Sequence, residues 1–310
     1  MNGIIVIDKP QGMTSHDVVS FLRRKTGVKR IGHTGTLDPM ATGVLPVFIG
    51  QATRLIEYAG KPGDPEAKLY RCTMRLGLET DTQDIWGKVT LQREDIREFS
   101  LADAEAAAEV EAVLKGFEGS GTQKPPMYSA VKVEGRKLYE YARKGAVLDE
   151  SLIRDREIYI KRIDVKRVDV ENREICFDVL CSKGVYIRTL CSDAGRALST
   201  GAVMSGLVRL KSDGFSIDTA IPLEALKDGD MPPLLPMDSP LGWMERVEIG
   251  GGAAGGFAHG RPIMAAEINS DKRVQGSLVR VYCGGSFAGI GKITAGVGGD
   301  YMIKPVKVLL

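Results

Sequence analysis

An aspartate within a glycine- and threonine-rich run is the clearest candidate for chemistry in this sequence. The run, Gly32 to Pro46, holds three glycines, three threonines, one histidine and one aspartate, Asp38. Glycine permits backbone angles that other residues avoid, so the run predicts neither a helix nor a regular strand. Pro39 biases Asp38 towards an extended conformation that would present its carboxylate to a substrate. Because Asp-Pro pairs are also common in turns, composition alone leaves a turn and a catalytic site both open.

Two further residues have positions that suggest a function. Tyr70 lies near the start of an alternating segment, Lys68 to Leu76, that predicts a half-buried strand, where a core tyrosine is the simpler interpretation. Arg188 falls near the start of a predicted helix that runs through Leu198. A cation at that end opposes the helix macrodipole, so we expect a carboxylate or a phosphate close to Arg188.

The distribution of charge is more informative than its total. The 310-residue chain has a formal net charge of +2, but Glu94 to Glu118 carries eight acidic and two basic residues. This segment has a net charge of −6 and leaves +8 on the rest of the chain, which would suit a polyanionic partner such as a nucleic acid. Ordinary surface variation would give the same pattern, so charge alone does not decide.

The cysteines and histidines do not form a metal-binding pattern. The chain has five cysteines, three histidines and no Cys-x-x-Cys pair, so a zinc site is not expected. An odd number of cysteines fits a reducing compartment. The sequence reaches Asp8 after a four-residue apolar run, too short for a signal peptide, and no run approaches the roughly 18 residues of a membrane span. These features predict a cytoplasmic protein.

The periodicity of apolar residues predicts two domains. A buried strand is expected at Gly3 to Asp8, followed by a helix capped by Thr14 or Ser15 that ends at Gly27. Ile221 to Gly242 contains five prolines and is predicted to be a linker. Short strands separated by glycines follow, which favours a small β-rich domain whose glycine-rich beginning, residues 250–256, is predicted to be a flexible loop.

A basic segment with tyrosines, Lys124 to Gly145, favours contact with a nucleic acid. Tyr128, Tyr139 and Tyr141 stand there among six lysines and arginines. Aromatic rings stack on bases and cations bind phosphates, so this combination is typical of a surface that grips RNA.

Several ordered motifs resemble the bacterial tRNA pseudouridine synthase B (TruB) family. They extend over residues 3–240, and the chain beyond them is similar to the family's PUA RNA-binding domain. Besides the Gly32 to Pro46 run, the motifs are Asp8-Lys-Pro-Gln-Gly-Met-Thr-Ser15, Lys68-x-Tyr70, Thr80-Asp-Thr-x-Asp84, Pro125-Pro-Met-Tyr-Ser-Ala-x-Lys132 and Lys183-Gly-x-Tyr-Ile-Arg188.

The resemblance implies a fold and an activity. The fold is α+β, with a mixed, largely antiparallel sheet flanked by helices (the pseudouridine synthase fold) and a small β-rich PUA-like domain. The catalytic domain would span residues 1–238, with a thumb-like insertion at about 124–145, and the PUA-like domain residues 243–310. The implied reaction converts uridine to pseudouridine at position 55 of the tRNA T-loop, with neither a cofactor nor a metal.

The resemblance also implies a role for each residue at a matching position. Asp38 matches the catalytic aspartate, Arg188 the arginine that pairs with it, and Tyr70 the aromatic residue that stacks on the target uracil. Further matches bind substrate: His33 fills the space left by the flipped nucleotide, Tyr186 and Leu207 line the uridine pocket, and Lys9 is a basic residue near it.

These matches lead to expectations about the site. Asp38 and Arg188 should form a buried ion pair that lowers the pKa of Asp38 below its usual value of about 3.9. Tyr70 is either a stacking platform or a general base that takes the proton from C5, with Arg188 or Lys9 stabilising its phenolate. Val208 departs from the family, which often has a second arginine there, so one phosphate contact is in doubt.

Three kinds of protein fit these features. The resemblance implies a monomer that acts on the tRNA T-arm without a guide RNA and without a membrane. A non-catalytic RNA-binding or chaperone module would not need Asp38, Tyr70 and Arg188 together. A guide-dependent synthase of the archaeal and eukaryotic kind would work with partner proteins, and the Lys124 to Gly145 insertion favours the stand-alone bacterial kind. Whether Asp38 attacks C6 of the uracil or C1′ of the ribose stays open.

Overall fold

The fold is built on a large sheet and a smaller C-terminal sheet. The computed structural model describes residues 1–93, 104–145, 148–169, 171–264, 274–296 and 300–309, so the first part of the acidic segment, residues 94–103, lies outside the described residues. The strands up to residue 222 are β1 (Gly3–Lys9), β2 (Ile31–His33), β3 (Thr42–Ile49), β4 (Lys68–Leu76), β5 (Leu78–Thr80), β6 (Val89–Gln92), β7 (Gly119–Gln123), β8 (Lys132–Val133), β9 (Arg136–Lys137), β10 (Arg156–Asp169), β11 (Glu174–Cys181), β12 (Ala202–Ser212), β13 (Phe215–Ser216) and β14 (Ile221–Pro222).

Most strand pairs of the large sheet are antiparallel, which confirms the predicted fold class. The order of strands is β14-β1-β3-β12-β4-β11-β10-β7, with β2 beside β3 and β13 beside β12. The β1–β14 and β3–β12 pairs are parallel, and the other pairs of this sheet are antiparallel. The short β5–β6 and β8–β9 hairpins stand apart from it.

Helices flank the large sheet. Among the described residues, no helix is both long enough and apolar enough to cross a membrane. The α-helices are α1 (Ser15–Thr26), α2 (Ala104–Lys115), α3 (Leu138–Arg143), α4 (Ile187–Ala197), α5 (Ala225–Asp228) and α6 (Gly251–Ala258), and the 3₁₀ segments are Gly50–Tyr58, Glu150–Leu152, Ile217–Thr219 and Ser239–Leu241.

Helix α1 has the ends that its sequence predicts. The Thr14 hydroxyl accepts a hydrogen bond from the backbone N–H of Asp17 at 3.0 Å, and the Asp17 carboxylate accepts one from the N–H of Thr14 at 2.8 Å. This reciprocal capping box satisfies two backbone donors that the first turn would leave unpaired. Gly27 ends the helix with φ of 70°, a left-handed conformation that costs glycine little.

Strand β4 crosses the centre of the sheet and carries Tyr70. Its residues alternate between buried and more exposed positions, with Tyr70, Cys72, Met74 and Leu76 on the buried face, as predicted. That face packs in the main hydrophobic core against residues of α2 and α4. Full burial of an apolar side chain contributes roughly 1.5–3 kcal/mol, so this core holds β4 firmly beside α4, the helix that carries Arg188.

The glycine- and threonine-rich run is less irregular than predicted. The prediction of no regular strand is wrong at both ends, because His33 lies in β2 and β3 begins at Thr42. Gly43 lies in β3 at a point where β12 approaches closely. A Cβ atom on Gly43 would lie 2.3 Å from the carbonyl oxygen of Arg209, so only glycine leaves room for β12. The irregular part is therefore confined to residues 34–41, which we call the Asp38 loop.

The proline-rich stretch is packed against the sheet and is not a free linker. Ile221 to Gly242 contains β14 and α5, and its Leu223, Leu226 and Leu241 are buried. The backbones of Ile4 and Leu235 exchange two hydrogen bonds of 3.0 and 2.8 Å. Prolines suggested a linker, but the leucines between them supply the apolar contacts that fix this segment.

The C-terminal sheet has the β-rich character that the sequence predicts. Its order is β15-β17-β18-β19-β16. The predicted flexible loop at residues 250–256 is wrong, since these residues lie mostly in α6, where Phe257 is fully buried and anchors the helix in the core of this sheet. The strands are β15 (Glu245–Ile249), β16 (Ile263–Met264), β17 (Leu278–Cys283), β18 (Ser286–Ala295) and β19 (Tyr301–Val308).

The two sheets are joined by an apolar contact. Leu55 of the 3₁₀ segment Gly50–Tyr58 packs with Leu241, Met244 and Ile290 in one buried cluster. The Trp243 indole N–H also donates to the carbonyl of Tyr58 at 3.2 Å. The smaller sheet is therefore seated on the 3₁₀ segment that follows β3.

Candidate active site

The Asp38 loop is held by hydrogen bonds on both sides of the aspartate. The buried Ser15 hydroxyl accepts from the Leu37 N–H at 2.8 Å and lies 3.1 Å from the Leu37 carbonyl, to which it donates. The Pro39 carbonyl accepts from the N–H of Gly12 at 2.8 Å. Residues before and after Asp38 are thus tied to α1 and to the turn that precedes it, which leaves the carboxylate in a defined position.

Arg188 binds Asp38 and two further segments. Its Nε lies 3.0 Å from the Asp38 carboxylate. Its two terminal nitrogens donate to the carbonyls of Thr82, at 3.0 Å, and Tyr128, at 2.9 Å, and one of them lies 3.9 Å from the Asp84 carboxylate. The predicted ion pair is confirmed, and the guanidinium also draws the loop after β5 and the start of the basic insertion towards the Asp38 loop.

The predicted direction of the Asp38 pKa shift is wrong. Burial raises the pKa of the Asp38 carboxyl above its ordinary value, and Asp84 acts in the same direction. Arg188 and Lys9 oppose this shift without reversing it. The Asp38 side chain is still 36% exposed, so the carboxyl group lies among protein atoms yet remains accessible to a molecule that enters from solvent.

Tyr70 lies beside the Asp38 loop. Leu37 and Met40, which flank Asp38, pack in the same buried cluster as Tyr70. Burial raises the pKa of Tyr70 to about 12, partly offset by the charge of Arg209, the residue opposite Tyr70 on β12. We expected the nearby cation to be Arg188 or Lys9, and it is Arg209.

Lys9 contacts backbone carbonyls. The residue is fully buried, and its ammonium donates to the carbonyls of Pro10 at 2.9 Å and Met13 at 2.6 Å and lies 3.5 Å from that of Pro39. Burial is the main cause that lowers the pKa of Lys9 to about 8. These contacts favour a role in holding the Asp38 loop over direct contact with a substrate.

His33 is partly buried at the end of β2, just before the Asp38 loop. Burial, followed by the charge of Arg209, lowers the pKa of its imidazole, so the ring is neutral at pH 7. Its Nδ1 atom is buried and has no hydrogen-bond partner among the described residues. A neutral ring in this place could stack on a base, as the family resemblance implies.

Tyr186 and Leu207 border the site from two different elements. Tyr186 precedes α4, and the Gln123 side chain fixes it by accepting from its N–H at 2.9 Å and donating to its carbonyl at 3.3 Å. Leu207 lies on β12, opposite Cys72 of β4, and is buried in the same cluster as Tyr70. The structure therefore places Tyr70 and Leu207 in one buried cluster with residues of the Asp38 loop, and Tyr186 two residues before the Arg188 that binds Asp38.

Sequence reasoning missed three residues near this site. Ser15 was considered only as a helix cap, and neither Gln123 nor Arg209 received a role. All three are buried polar residues, and such residues need buried partners. For Arg209 the apolar residues on either side, Val208 and Leu210, were a signal of burial, whereas Ser15 and Gln123 lie in polar segments that gave none.

The chemistry available here is that of a carboxylate and a phenol. An accessible carboxylate can act as a nucleophile in covalent catalysis, and a phenol can donate or accept a proton. Among the described residues, no group of three or more His, Cys, Asp or Glu side chains is placed to hold a metal ion. The arrangement therefore points to the class of enzymes, with an aspartate oriented by an arginine as the candidate nucleophile.

Comparisons with known proteins agree with this class. The family model "TruB family pseudouridylate synthase (N terminal domain)" matches residues 23–187, and "Pseudouridine synthase II TruB, C-terminal" matches residues 246–309. The chain is 41% identical over 314 residues to "tRNA pseudouridine synthase B" of Alkaliphilus oremlandii, covering 100% of this chain and 98% of that protein. It is 44% identical over 266 residues to the protein of that name from Symbiobacterium thermophilum, covering 84% and 82%.

A solved structure shares the fold. The "Crystal Structure of a Cbf5-Nop10-Gar1 Complex" contains a chain with a TM-score of 0.70 and 26% identity, covering 99% of this chain and 85% of that one. Together with the matches above, this similarity identifies the family: the chain belongs to the TruB family of pseudouridylate synthases.

Proposed function

We propose that this chain converts uridine to pseudouridine at position 55 in the T-loop of tRNAs, with Asp38 as the nucleophile. The observation that carries the proposal is the accessible Asp38 carboxyl group, 3.0 Å from a buried Arg188, in a member of the TruB family. The two relatives from Alkaliphilus and Symbiobacterium are named tRNA pseudouridine synthase B.

The reaction balances without an added reagent. The C1′–N1 bond of uridine breaks, the uracil rotates, and a C1′–C5 bond forms, while C5 loses a proton and N1 gains one. No electron is transferred and no group is added, so a nucleophile and a proton acceptor are sufficient. Asp38 and Tyr70 would supply these two groups.

The target base must leave the stacked T-loop before it can react. Extruding a base costs roughly a few kcal/mol, and stacking it on an aromatic ring returns roughly 1–3 kcal/mol. Tyr70 would provide that ring within the pocket bordered by Tyr186 and Leu207. The neutral His33 would occupy the space that the extruded nucleotide leaves.

The rest of the chain would hold the tRNA. We infer that residues 124–145 form a thumb-like grip on the T-arm, because Tyr128 lies beside Arg188 and basic residues surround the tyrosines. We also infer a division into a catalytic domain, residues 1–238, and a PUA-like RNA-binding domain, residues 243–310. The protein would act as a monomer in the cytoplasm, without a cofactor.

A guide-dependent enzyme is the alternative that one observation favours. The structural neighbour comes from a complex of Cbf5 with Nop10 and Gar1. The basic insertion and the 41% identity to a tRNA pseudouridine synthase B support instead an enzyme that selects its own substrate without a guide RNA.

The test is to incubate the purified chain with an unmodified T-arm stem-loop and assay for pseudouridine. We expect pseudouridine at position 55, and none in a matched stem-loop with cytidine at that position. Binding of both RNAs without any product would indicate a non-catalytic RNA-binding module. Activity that appears only after partner proteins and a guide RNA are added would indicate the guide-dependent alternative.

A further inference from the structure

Arg209 is one of the largest fully buried side chains of the protein. It lies on β12, where it pairs with Tyr70 of β4, and only 1% of the residue is exposed. An arginine is almost never buried to this extent unless its charge is compensated. Because Arg209 lies beside Tyr70, we expect its charge to have a role that an apolar residue could not take.

Two backbone carbonyls fix the Arg209 guanidinium. Its Nε donates to the carbonyl of Val44 at 2.7 Å, and one terminal nitrogen donates to that of Gly35 at 2.8 Å. Val44 belongs to β3 and Gly35 to the Asp38 loop, so the two acceptors lie on either side of Asp38 in the sequence. The planar guanidinium is thereby oriented beside Tyr70, the residue opposite Arg209 across the β4–β12 pair.

The charge of Arg209 has no carboxylate partner within salt-bridge distance in the described part of the chain. The hydrogen-bond partners of its nitrogens are the two carbonyls. Burial is the main cause that lowers the pKa of Lys9, Lys68 and His33, and the charge of Arg209 acts in the same direction on all three. Burying a cation in such surroundings is costly, so the arrangement stabilises negative charge that develops next to it.

The Asp38 loop leaves room for this guanidinium. Gly35 has φ of 63°, and a Cβ atom there would lie 3.0 Å from a terminal nitrogen of Arg209 and 3.1 Å from the ammonium of Lys68. Contacts this short would displace one of the two cations. Glycine at this position therefore permits the loop backbone to reach Arg209.

We propose that Arg209 is a positioning residue that acts through Tyr70: the guanidinium, oriented by the Val44 and Gly35 carbonyls and buried beside Tyr70, favours the negative charge that forms on the tyrosine hydroxyl. This inference rests on the proposed function. It assigns to Arg209 a role in the proton-transfer part of the reaction and not in binding RNA, because the buried guanidinium cannot reach a phosphate on the surface.

The test is a double-mutant cycle of Arg209→Met and Tyr70→Phe in single-turnover assays on the T-arm stem-loop. Misplacing a reacting group by about 1 Å can cost about 100-fold in rate, and we expect a loss of that order for Arg209→Met with unchanged RNA affinity. In the Tyr70→Phe background the same change should cost less than about threefold, because groups that act as a unit are not additive.

A second variant and a control complete the design. Arg209→Lys keeps the charge but cannot bind both carbonyls with the geometry of a guanidinium, and it should recover only part of the rate. Arg71→Met is the control, since Arg71 lies next to Tyr70 on the opposite face of β4 and its side chain is 49% exposed. The single-turnover rate of this variant should stay within about twofold of the wild-type rate.

The outcomes separate this inference from the proposed function. Equal losses from Arg209→Met in both backgrounds would overturn the inference, as would no loss in either. If one of the two Arg209 variants does not fold, NMR of the other provides a second readout. The ¹³Cζ resonance of Tyr70 is assigned as the one that Tyr70→Phe removes, and it should shift in the folded Arg209 variant but not in Arg71→Met. An unshifted resonance in the Arg209 variant would contradict the inference. A wild-type protein that makes no pseudouridine on any tRNA would overturn both proposals.

Discussion

Asp38 is subject to opposing influences. Burial and Asp84 favour its protonated form, whereas Arg188 and Lys9 favour the carboxylate, and the pKa of Asp38 is raised on balance. A charged nucleophile in this environment is less stable than it would be in water. Function therefore costs stability at this position, as is common in active sites.

The first prediction concerns the stability of Asp38→Asn. Because the raised pKa means that the folded chain binds more protons than the unfolded chain, wild-type stability falls as pH rises from the ordinary aspartate value towards the folded pKa of Asp38. Asp38→Asn lacks this loss. The melting temperature of Asp38→Asn relative to that of the wild type should therefore rise between pH 4 and pH 7. A difference that stays constant or falls over this range would contradict the raised pKa.

The second prediction compares two ion pairs. Arg188→Met removes a buried guanidinium from Asp38 and from the carbonyls of Thr82 and Tyr128. We expect a loss of about 2 kcal/mol in the free energy of unfolding, below the ~3–5 kcal/mol of a fully buried pair because Asp38 is partly exposed. Arg71→Met breaks the more exposed pair with Asp178 and should cost at most about 1 kcal/mol. Urea denaturation of both variants makes the comparison, and equal losses would contradict it.

The third prediction concerns the hydroxyl of Tyr70. Stacking needs only the ring, but the hydroxyl faces a buried guanidinium, an arrangement that stacking would not require. We expect Tyr70→Phe to bind tRNA almost normally and to lose at least about two orders of magnitude in single-turnover rate. A loss of only a few-fold would leave stacking as the sole role of Tyr70, and the proton acceptor would have to be Asp38 or water.

At the scale of elements, the sequence predicted those helices and strands whose bounds depend on neighbouring residues in the chain. Helix α1 could be placed from its capping residues and Gly27, and β4 from its alternation, because both signals lie within the element. The beginning of β3 at Gly43 could not be placed from the sequence, since it depends on the close approach of β12. Helix α6 could not either: its glycines disfavour a helix by roughly 0.5–1 kcal/mol each relative to alanine, and burial of Phe257 in the C-terminal core offsets them.

The site shows the same division between local and distant information. Asp38, Tyr70 and Arg188 could be named from motifs, and their ion pair could be anticipated. The pKa of Asp38 could not, because it depends on burial and on charges from β1, α4 and the loop after β5. The place of Arg209 could not either, because it depends on contacts with β3, β4 and the Asp38 loop. Sequence spacing identifies which residues are present, whereas burial and neighbouring charges set their properties.

At the scale of the whole molecule, the C-terminal sheet should contribute affinity for tRNA. Deleting it after Asp238 would remove Leu241, Met244 and Ile290 from their packing against Leu55 and expose that apolar surface. Point substitutions on the sheet are therefore a cleaner test than deletion.

The fourth prediction uses two lysines of that sheet. Lys292 and Lys304 are exposed and face each other across β18 and β19, where like charges repel, so replacing both by glutamine should not destabilise the fold. We expect weaker tRNA binding and a salt dependence reduced by about one unit of slope for each phosphate that is no longer bound, with kcat at saturating RNA unchanged. A reduced kcat with unchanged KM would contradict this division of roles.

The most direct test of the whole account is the activity of Asp38→Asn on unmodified full-length tRNA under single-turnover conditions. The account predicts one pseudouridine, at position 55, with the wild-type protein. It predicts no detectable product with Asp38→Asn, although this variant should bind tRNA within about threefold of the wild type, since the substitution changes a single partly exposed carboxyl group. A folded Asp38→Asn protein that forms pseudouridine 55 at a near-normal rate would contradict the account.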